Sequence, residues 1–226
     1  IKQCKVGETC NFTGITPAFA FKSIASLSTD RAGTAISAIF KDPDGTSNLR
    51  AFGDISLGNP IMIDSQKSIA LDYSSMVAFG FVNSDALADL VVLNSSGIQV
   101  FLRSETKGFV SNSSLATTAS SALTPAQLKS YSALAVGDVD GDGLDDVVIA
   151  GTDSSSVNGK IAILTNQLGT GFALAPVINV KPELFPVSSV AVGKVNDDAA
   201  SKAPSDLVIA SKTTKTIGVL VNAATY

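Results

Sequence analysis

The chain repeats one pattern of apolar and acidic segments, and this repeat restricts its fold more than any single motif does. An apolar segment ends in glycine at Gly80, Gly137 and Gly193, so successive glycines stand 57 and 56 residues apart. Each glycine precedes a loop rich in Asp and Asn, and a β-branched run follows each loop. A fixed period of this length is typical of folds built from one repeated supersecondary unit.

Each repeat contains short apolar segments separated by turn residues, which is the pattern of β-strands. The predicted strands of the third repeat are 132–137, 146–149, 161–164 and 171–174, and a weaker first copy has strands at 23–27, 36–40, 49–52 and 61–63. Four short strands in about 50 residues are typical of a propeller blade. The sequence therefore predicts an all-β fold, a β-propeller of about four four-stranded blades at 22–73, 74–130, 131–187 and 188–226.

The two ends of this array leave its closure open. The last repeat has no fourth strand, and residues 18–21 form a spare apolar segment that could complete that blade and cover its edge. The chain could thus be a closed ring of four blades or part of a larger propeller. One helical segment is predicted at 124–129, where Thr124 is the N-cap and a proline follows it.

The loop of the third repeat carries the candidate site. Its acidic residues Asp138, Asp140 and Asp142 stand two apart, Gly143 follows, and Asp146 is the ninth residue. Carboxylates crowded into one turn repel one another unless a cation lies among them. Ca²⁺ takes six to eight oxygen ligands, so we expect these four side chains and the Leu144 carbonyl to bind Ca²⁺.

Two other interpretations of this loop can be compared with the sequence. An EF-hand requires a glutamate at its twelfth position and flanking helices, but that position is Ile149, inside a β-branched run. The loop is therefore predicted to join two strands. The remaining alternative is a metal-free turn, since Asp and Gly are common turn residues.

The run Ala-Val-Gly-Asp-x-Asp-x-Asp-Gly-x-x-Asp at 135–146 resembles the FG-GAP repeat of integrin alpha-chain β-propellers (VCBS-like repeats). The resemblance implies that the loop joins the first two strands of a blade and binds calcium through Asp138, Asp140, Asp142, Leu144 and Asp146. That family usually has seven blades, so the four predicted here are a departure.

The equivalent loops of the other repeats depart from this pattern. In the second repeat the ligand positions are Phe81, Asn83, Asp85, Leu87 and Asp89. In the fourth repeat the first position is Lys194, followed by Asn196 and Asp198, and we expect the lysine amine to take the place of the cation beside Asp198 or Asp206. The first copy, with Leu27, Thr29, Arg31 and Ala35, is predicted to hold no ion.

Composition limits the function. With 16% charged residues and a net charge of −4, the chain has no basic surface for nucleic acid, and it has no apolar run long enough to insert in a membrane. The absence of His removes the commonest general base. A paired-carboxylate hydrolase remains conceivable, but the clustered aspartates are better explained as ligands, so we predict no enzyme activity.

Several residues indicate a secreted protein. Cys4 and Cys10 could form a local disulfide, remain free thiols, or bond to segments outside this chain. Asn11, Asn94 and Asn112 begin N-glycosylation sequons, which would be used only in a eukaryotic source. Together with the resemblance, these features predict an extracellular or cell-surface glycoprotein.

The predicted function is binding. Propellers present loops on one face, and the resemblance implies cell adhesion or structural assembly through a protein partner or self-association. The alternative is a carbohydrate-binding propeller lectin; the lack of Trp, with only three Tyr, counts against it. A hydrolase or lyase on the same scaffold is the third possibility.

Overall fold

In the computed structural model of the protein, the described residues are the strand backbones within 23–63 and residues 75–104, 108–115, 121, 123–128, 130–152, 159–181, 184, 186–195 and 204–222. The described part of the chain is almost entirely β-structure, which confirms the predicted all-β class. Predictions for residues 1–21, namely the Cys4 and Cys10 pair, Asn11 and the possible closing strand, lie outside the described residues.

The described strands form four antiparallel sheets, each built from strands consecutive in sequence. The first sheet contains β1 Ser23–Thr29, β2 Ile36–Lys41, β3 Ser47–Gly53 and β4 Ile61–Ile63. The second contains β5 Met76–Gly80, β6 Asp89–Asn94, β7 Gly97–Ser104 and β8 Gly108–Ser111. The third contains β9 Tyr131–Gly137, β10 Asp146–Thr152, β11 Gly159–Asn166, β12 Phe172–Leu174 and β13 Ile178–Val180. The fourth contains β14 Ser189–Gly193, β15 Asp206–Ser211 and β16 Thr216–Leu220.

Two departures from the predicted strands have local causes. The fourth strand of the third sheet is divided into β12 and β13, and both pieces pair with β11. Pro176 lies between them and has no N–H to donate to the ladder. In the first copy, the predicted strand 23–27 ends too early: Thr29, which the nine-residue count places in the loop, lies within β1, because Thr29 pairs with Ile36 and the turn is shorter. The predicted helix is confirmed at Pro125–Leu128.

That short helix begins with a capping box. The N–H of Gln127 donates to Thr124 Oγ1 at 3.3 Å, and the N–H of Thr124 donates to Gln127 Oε1 at 2.8 Å. These reciprocal bonds satisfy two groups that a helix start leaves open. The Thr-Pro-x-Gln sequence thus accounts for the position of the helix.

The sheets pack face to face in chain order. One apolar cluster joins the second and third sheets through residues such as Val91, Ile98 and Val147, and another joins the third and fourth through residues such as Val148 and Leu207. Strands β6 and β10 are buried along their whole length except at Thr152, because sheets cover both of their faces. This explains why their sequences are continuously apolar rather than alternating.

The first strands of the sheets form a series in which β1 packs beside β5, β5 beside β9, and β9 beside β14. Among the described strands, β14 has no comparable packing against β1. The repeated glycine permits the close approach of neighbours. A Cβ on Gly80 would lie 2.1 Å from Val136 Cγ1, and one on Gly137 would lie 2.6 Å from Val192 Cγ1. Among the described residues, no atom lies within 4 Å of a Cβ built on Gly193.

These three glycines provide a matched test of sheet packing. Gly137→Ala should destabilise the fold by about 1–3 kcal/mol, because the new methyl group must displace Val192 in a packed interface. Gly193→Ala, the control at the equivalent position, should change the unfolding free energy by less than about 1 kcal/mol. Urea denaturation of both variants measures the difference, and equal effects would contradict this explanation of the repeat.

Candidate metal centre

The acidic loop lies between β9 and β10, as predicted. Asp138, Asp140 and Asp146 each place one carboxylate oxygen within 4.8 Å of the other two, a grouping that could hold a metal ion. Asp142 is exposed and does not belong to this group. The structure therefore brings together three of the four predicted carboxylate ligands, and Leu144, whose predicted ligand is its backbone carbonyl, lies partly buried in the same turn.

Glycines and backbone bonds shape this turn. Asp138 accepts hydrogen bonds from the N–H of Gly141 at 2.7 Å and of Gly143 at 3.1 Å. Gly141 and Gly143 have φ values of 84° and 98°, which residues other than glycine adopt only at a cost in free energy. Asp140 and Asp142 in turn accept bonds from backbone N–H groups two residues ahead, at 3.1 and 2.8 Å. The chain thus wraps around its own carboxylates.

Asp146 has a second role that its place in the motif does not reveal. It is fully buried, and its Oδ2 accepts a bond from the N–H of Val139 at 2.8 Å while its Oδ1 accepts one from the N–H of Asn166 at 2.8 Å. Asn166 is the last residue of β11, so this one carboxylate joins the loop to the end of the third strand.

The same arrangement recurs where the other ligands are absent. Asp89 accepts bonds from the N–H groups of Val82 and Arg103, at 3.2 and 2.8 Å. Asp206 accepts bonds from those of Val195 and Asn222, at 2.9 and 2.8 Å. Both aspartates are fully buried. The last aspartate of each motif is therefore a structural residue in all three repeats. The sequence signal for this role is that the last aspartate is present even in the second and fourth repeats, where Phe81 and Lys194 replace the first aspartate of the loop.

Burial strongly affects the charge of these aspartates. Desolvation raises the pKa of Asp146 to about 6 and that of Asp89 to about 7, although backbone N–H groups favour their ionised forms. Desolvation also raises the pKa of Asp140, and the carboxylates of Asp142 and Asp138 add to the effect. A cation among the carboxylates of the third repeat would favour their ionised forms.

The second-repeat loop is closed by its own side chains. Asn83 Nδ2 donates to Asp85 Oδ2 at 2.8 Å, and Asp85 Oδ1 accepts a bond from the N–H of Leu87 at 2.8 Å. In the fourth repeat, Lys194 directly follows β14, while Asn196 and Asp198 lie outside the described residues. The expected lysine substitution for a cation therefore stays a prediction.

The acidic loop also contacts both neighbouring sheets. Asp145, 2% exposed, accepts a bond from the N–H of Phe81 through Oδ2 at 2.8 Å, and its own N–H donates to the Phe81 carbonyl at 2.8 Å. On the other side, the N–H of Ser205 donates to the Asp138 carbonyl at 2.9 Å. The loop therefore lies between the second and fourth sheets and is bonded to each.

Two asparagines complete these junctions. Asn166 Nδ2 donates to the Val82 carbonyl at 2.8 Å, and Asn222 Nδ2 donates to the Val139 carbonyl at 2.6 Å. Each asparagine thus binds the loop of the preceding sheet. Sequence reasoning missed Asp145, Asn166 and Asn222, because their partners lie 64 to 84 residues away.

The predicted sequon asparagines have local structural roles. Asn94 is 3% exposed, and its Oδ1 accepts bonds from the N–H groups of Ser96 and Gly97 in the β6–β7 turn. A glycan on Asn94 would require this turn to open. Asn112 is partly buried and caps a helical turn by accepting a bond from the N–H of Leu115 at 3.0 Å.

A comparison with models of known protein families finds a match to this chain. Residues 82–149 match the FG-GAP-like repeat, a span that runs from the second-repeat loop through the acidic loop into β10. The resemblance predicted from the sequence is thus confirmed over that span. A search of curated proteins finds no match to this chain.

Removing the buried carboxylate of the second repeat should be costly. Asp89→Ala leaves the buried N–H of Val82 and the partly buried N–H of Arg103 without their acceptor, and an unsatisfied buried donor costs about 1–3 kcal/mol. We expect a loss of about 2–4 kcal/mol in urea denaturation. Asp85→Ala, an exposed change in the same loop, should cost less than about 1 kcal/mol. Similar losses in the two variants would contradict the structural role of Asp89.

The raised pKa of Asp89 predicts a pH dependence. The folded state holds the Asp89 proton more tightly than the unfolded chain does, because the folded pKa of about 7 exceeds the ordinary aspartate pKa of 3.8. The stabilisation is therefore complete below about pH 4 and is lost as the pH rises to about 7. Carboxyl ¹³C NMR should give an Asp89 titration midpoint near 7. A midpoint near 3.8 would refute the desolvation argument.

Proposed function

We propose that this chain is a propeller-type protein-interaction module whose third-sheet loop is stabilised by Ca²⁺. The observation that carries the proposal is the coincidence of an FG-GAP-like repeat at 82–149 with the carboxylate cluster of Asp138, Asp140 and Asp146. Consecutive antiparallel sheets packed in series support the propeller architecture.

The donors in the loop suit a hard divalent cation. Asp138, Asp140 and Asp146 would supply carboxylate oxygens, with Asp142 and the Leu144 carbonyl as the further ligands. All are oxygen donors, which Ca²⁺ prefers, and no His or thiolate in this loop favours a transition metal. When bound, the ion would offset the repulsion among carboxylates that otherwise take up protons on burial.

The role proposed for the ion is structural. The loop that would hold it is hydrogen-bonded to the second sheet through Asp145 and to the fourth through Asp138 and Val139. Ordering this loop would stabilise two sheet junctions together. Both oxygens of Asp146 and both of Asp138 already accept backbone bonds, so these carboxylates serve the scaffold and do not suit acid–base catalysis.

We propose that the assembled sheets bind a protein partner. This binding would serve adhesion or structural assembly outside the cell. The sequons at Asn11 and Asn112 and the Cys4 and Cys10 pair support an extracellular location. No helix of the described residues is long and apolar enough to cross a membrane. The lectin alternative is weaker, because the chain has no Trp and the tyrosine among the described residues, Tyr131, is 4% exposed with Lys160 Nζ 4.7 Å from its ring centroid, and so presents no face to a sugar.

Calcium should raise the melting temperature. At a concentration 100 times its dissociation constant, a ligand of the folded state adds about 2.7 kcal/mol, which corresponds to roughly 5–10 °C for a chain of this length. Differential scanning calorimetry with Ca²⁺ and with chelator measures the shift. Asp140→Ala should abolish it, and Asp85→Ala should preserve it. A melt that chelator leaves unchanged would rule out calcium stabilisation.

A further inference from the structure

We propose that Asn112 is an attachment site for an N-linked glycan and that this glycan covers the free edge of the second sheet. The inference deepens the proposed function and rests on its extracellular setting, because such a sugar is added to secreted proteins. The sequence contains sequons at Asn11, Asn94 and Asn112 without distinguishing among them. The described residues include Asn94 and Asn112, and their surroundings differ in the features that decide whether a sugar fits.

Glycan attachment uses the amide nitrogen of the asparagine side chain. A bond forms between Nδ2 and C1 of the first sugar, and the bond between C1 and the pyrophosphate of a lipid-linked oligosaccharide breaks. The lipid pyrophosphate leaves with the electron pair of that bond, and Nδ2 releases one proton. The side chain remains an amide, so its Oδ1 still accepts hydrogen bonds. A suitable asparagine therefore needs an unused Nδ2 and room for a sugar.

The side chain of Asn112 meets both requirements. Its Oδ1 accepts a hydrogen bond from the N–H of Leu115 at 3.0 Å, which orients the amide and caps the helical turn. No described residue accepts a hydrogen bond from its Nδ2. Asn112 is only partly buried, and the other two residues of the sequon, Ser113 and Ser114, are exposed. A glycan on Nδ2 would thus leave the cap intact.

Asn94 lacks the room that a sugar needs. It is 3% exposed, and its Oδ1 accepts bonds from the N–H groups of Ser96 at 2.9 Å and Gly97 at 3.0 Å. Asn94 also pairs with Gly97 at the end of the ladder between β6 and β7, so the turn closes tightly around the amide. A sugar on this nitrogen would prevent the turn from closing. We therefore expect the folded protein to lack a glycan at Asn94.

Asn112 stands at the end of an edge strand. It directly follows β8, the last strand of the second sheet, and no other described strand pairs with the free side of β8. The N–H of Asn112 donates to the Val100 carbonyl at 2.8 Å and so continues the ladder by one residue. Val110 of β8 is 44% exposed. Free edges of this kind pair with other chains unless they are covered, and a bulky hydrophilic glycan beside β8 would provide that cover.

The attachment is tested on the protein isolated from the cells that produce it. Trypsin releases the two asparagines in separate peptides, residues 108–129 for Asn112 and residues 68–103 for Asn94. Peptide N-glycosidase F in ¹⁸O-labelled water converts a glycosylated asparagine to labelled aspartate, which mass spectrometry detects. We expect the label in the first peptide and none in the second. An unlabelled first peptide or a labelled second peptide would overturn the inference.

A pair of serine variants, secreted from cultured eukaryotic cells, tests the role of the sugar. Ser114→Ala removes the hydroxyl residue that the sequon requires, whereas Ser113→Ala changes the neighbouring exposed serine and keeps the sequon. Light scattering across a concentration series should show that Ser114→Ala self-associates at a lower concentration than Ser113→Ala. The same variants produced in bacteria without the glycan should associate alike. Equal association of the two secreted variants, or a difference between the bacterial ones, would refute the role at the sheet edge.

This inference and the proposed function fail in different measurements. Calcium-dependent melting tests the third-sheet loop, which contains none of the sequon residues. A protein that calcium stabilises but whose Asn112 carries no sugar would refute the glycan alone. A glycosylated protein whose melting temperature does not respond to chelator would refute calcium stabilisation alone.

Discussion

The structure depends on a buried aspartate that begins the second strand of the second, third and fourth sheets. Asp89, Asp146 and Asp206 each accept a hydrogen bond from the loop before them and another from a residue near the end of the third strand. Burying a carboxylate is costly unless donors surround it, and here the backbone supplies them. The one side chain thus holds three segments of a sheet in a fixed relation, whether or not a cation lies nearby.

The acidic loop adds a second requirement to this scaffold. Three carboxylates approach one another between two sheets, and desolvation raises the pKa of Asp140 and Asp146. In the second repeat, an asparagine amide bonded to Asp85 removes this requirement, because it supplies donors in place of a like charge. The same backbone pattern therefore supports two kinds of loop. The loop of the third repeat clusters carboxylates that could hold a cation, and the loop of the second repeat is closed by its own side chains.

The sheets are joined by polar bonds as well as by apolar packing. Asn166 and Asn222 reach carbonyls of the preceding loop, and Asp145 receives the N–H of Phe81. These bonds orient each sheet on its neighbour more specifically than apolar burial does, because the hydrophobic effect is non-directional. The strands were predictable because apolar alternation and turn residues act over a few positions. The roles of Asp145, Asn166 and Asn222 could not be predicted, because other Asp and Asn residues of the chain lie in simple turns.

By itself, the sequence determined the repeat period, the order of the strands, the acidic loop between β9 and β10 and the cap of the short helix at Thr124. Each of these depends on neighbours close in the chain, so local chemistry suffices to specify it. Only the tertiary structure decided that Gly80 and Gly137 make room for Val136 and Val192, and that Asp146 binds the backbone at both oxygens. Those facts depend on atoms that folding brings together from distant positions, and a linear pattern does not encode such distances.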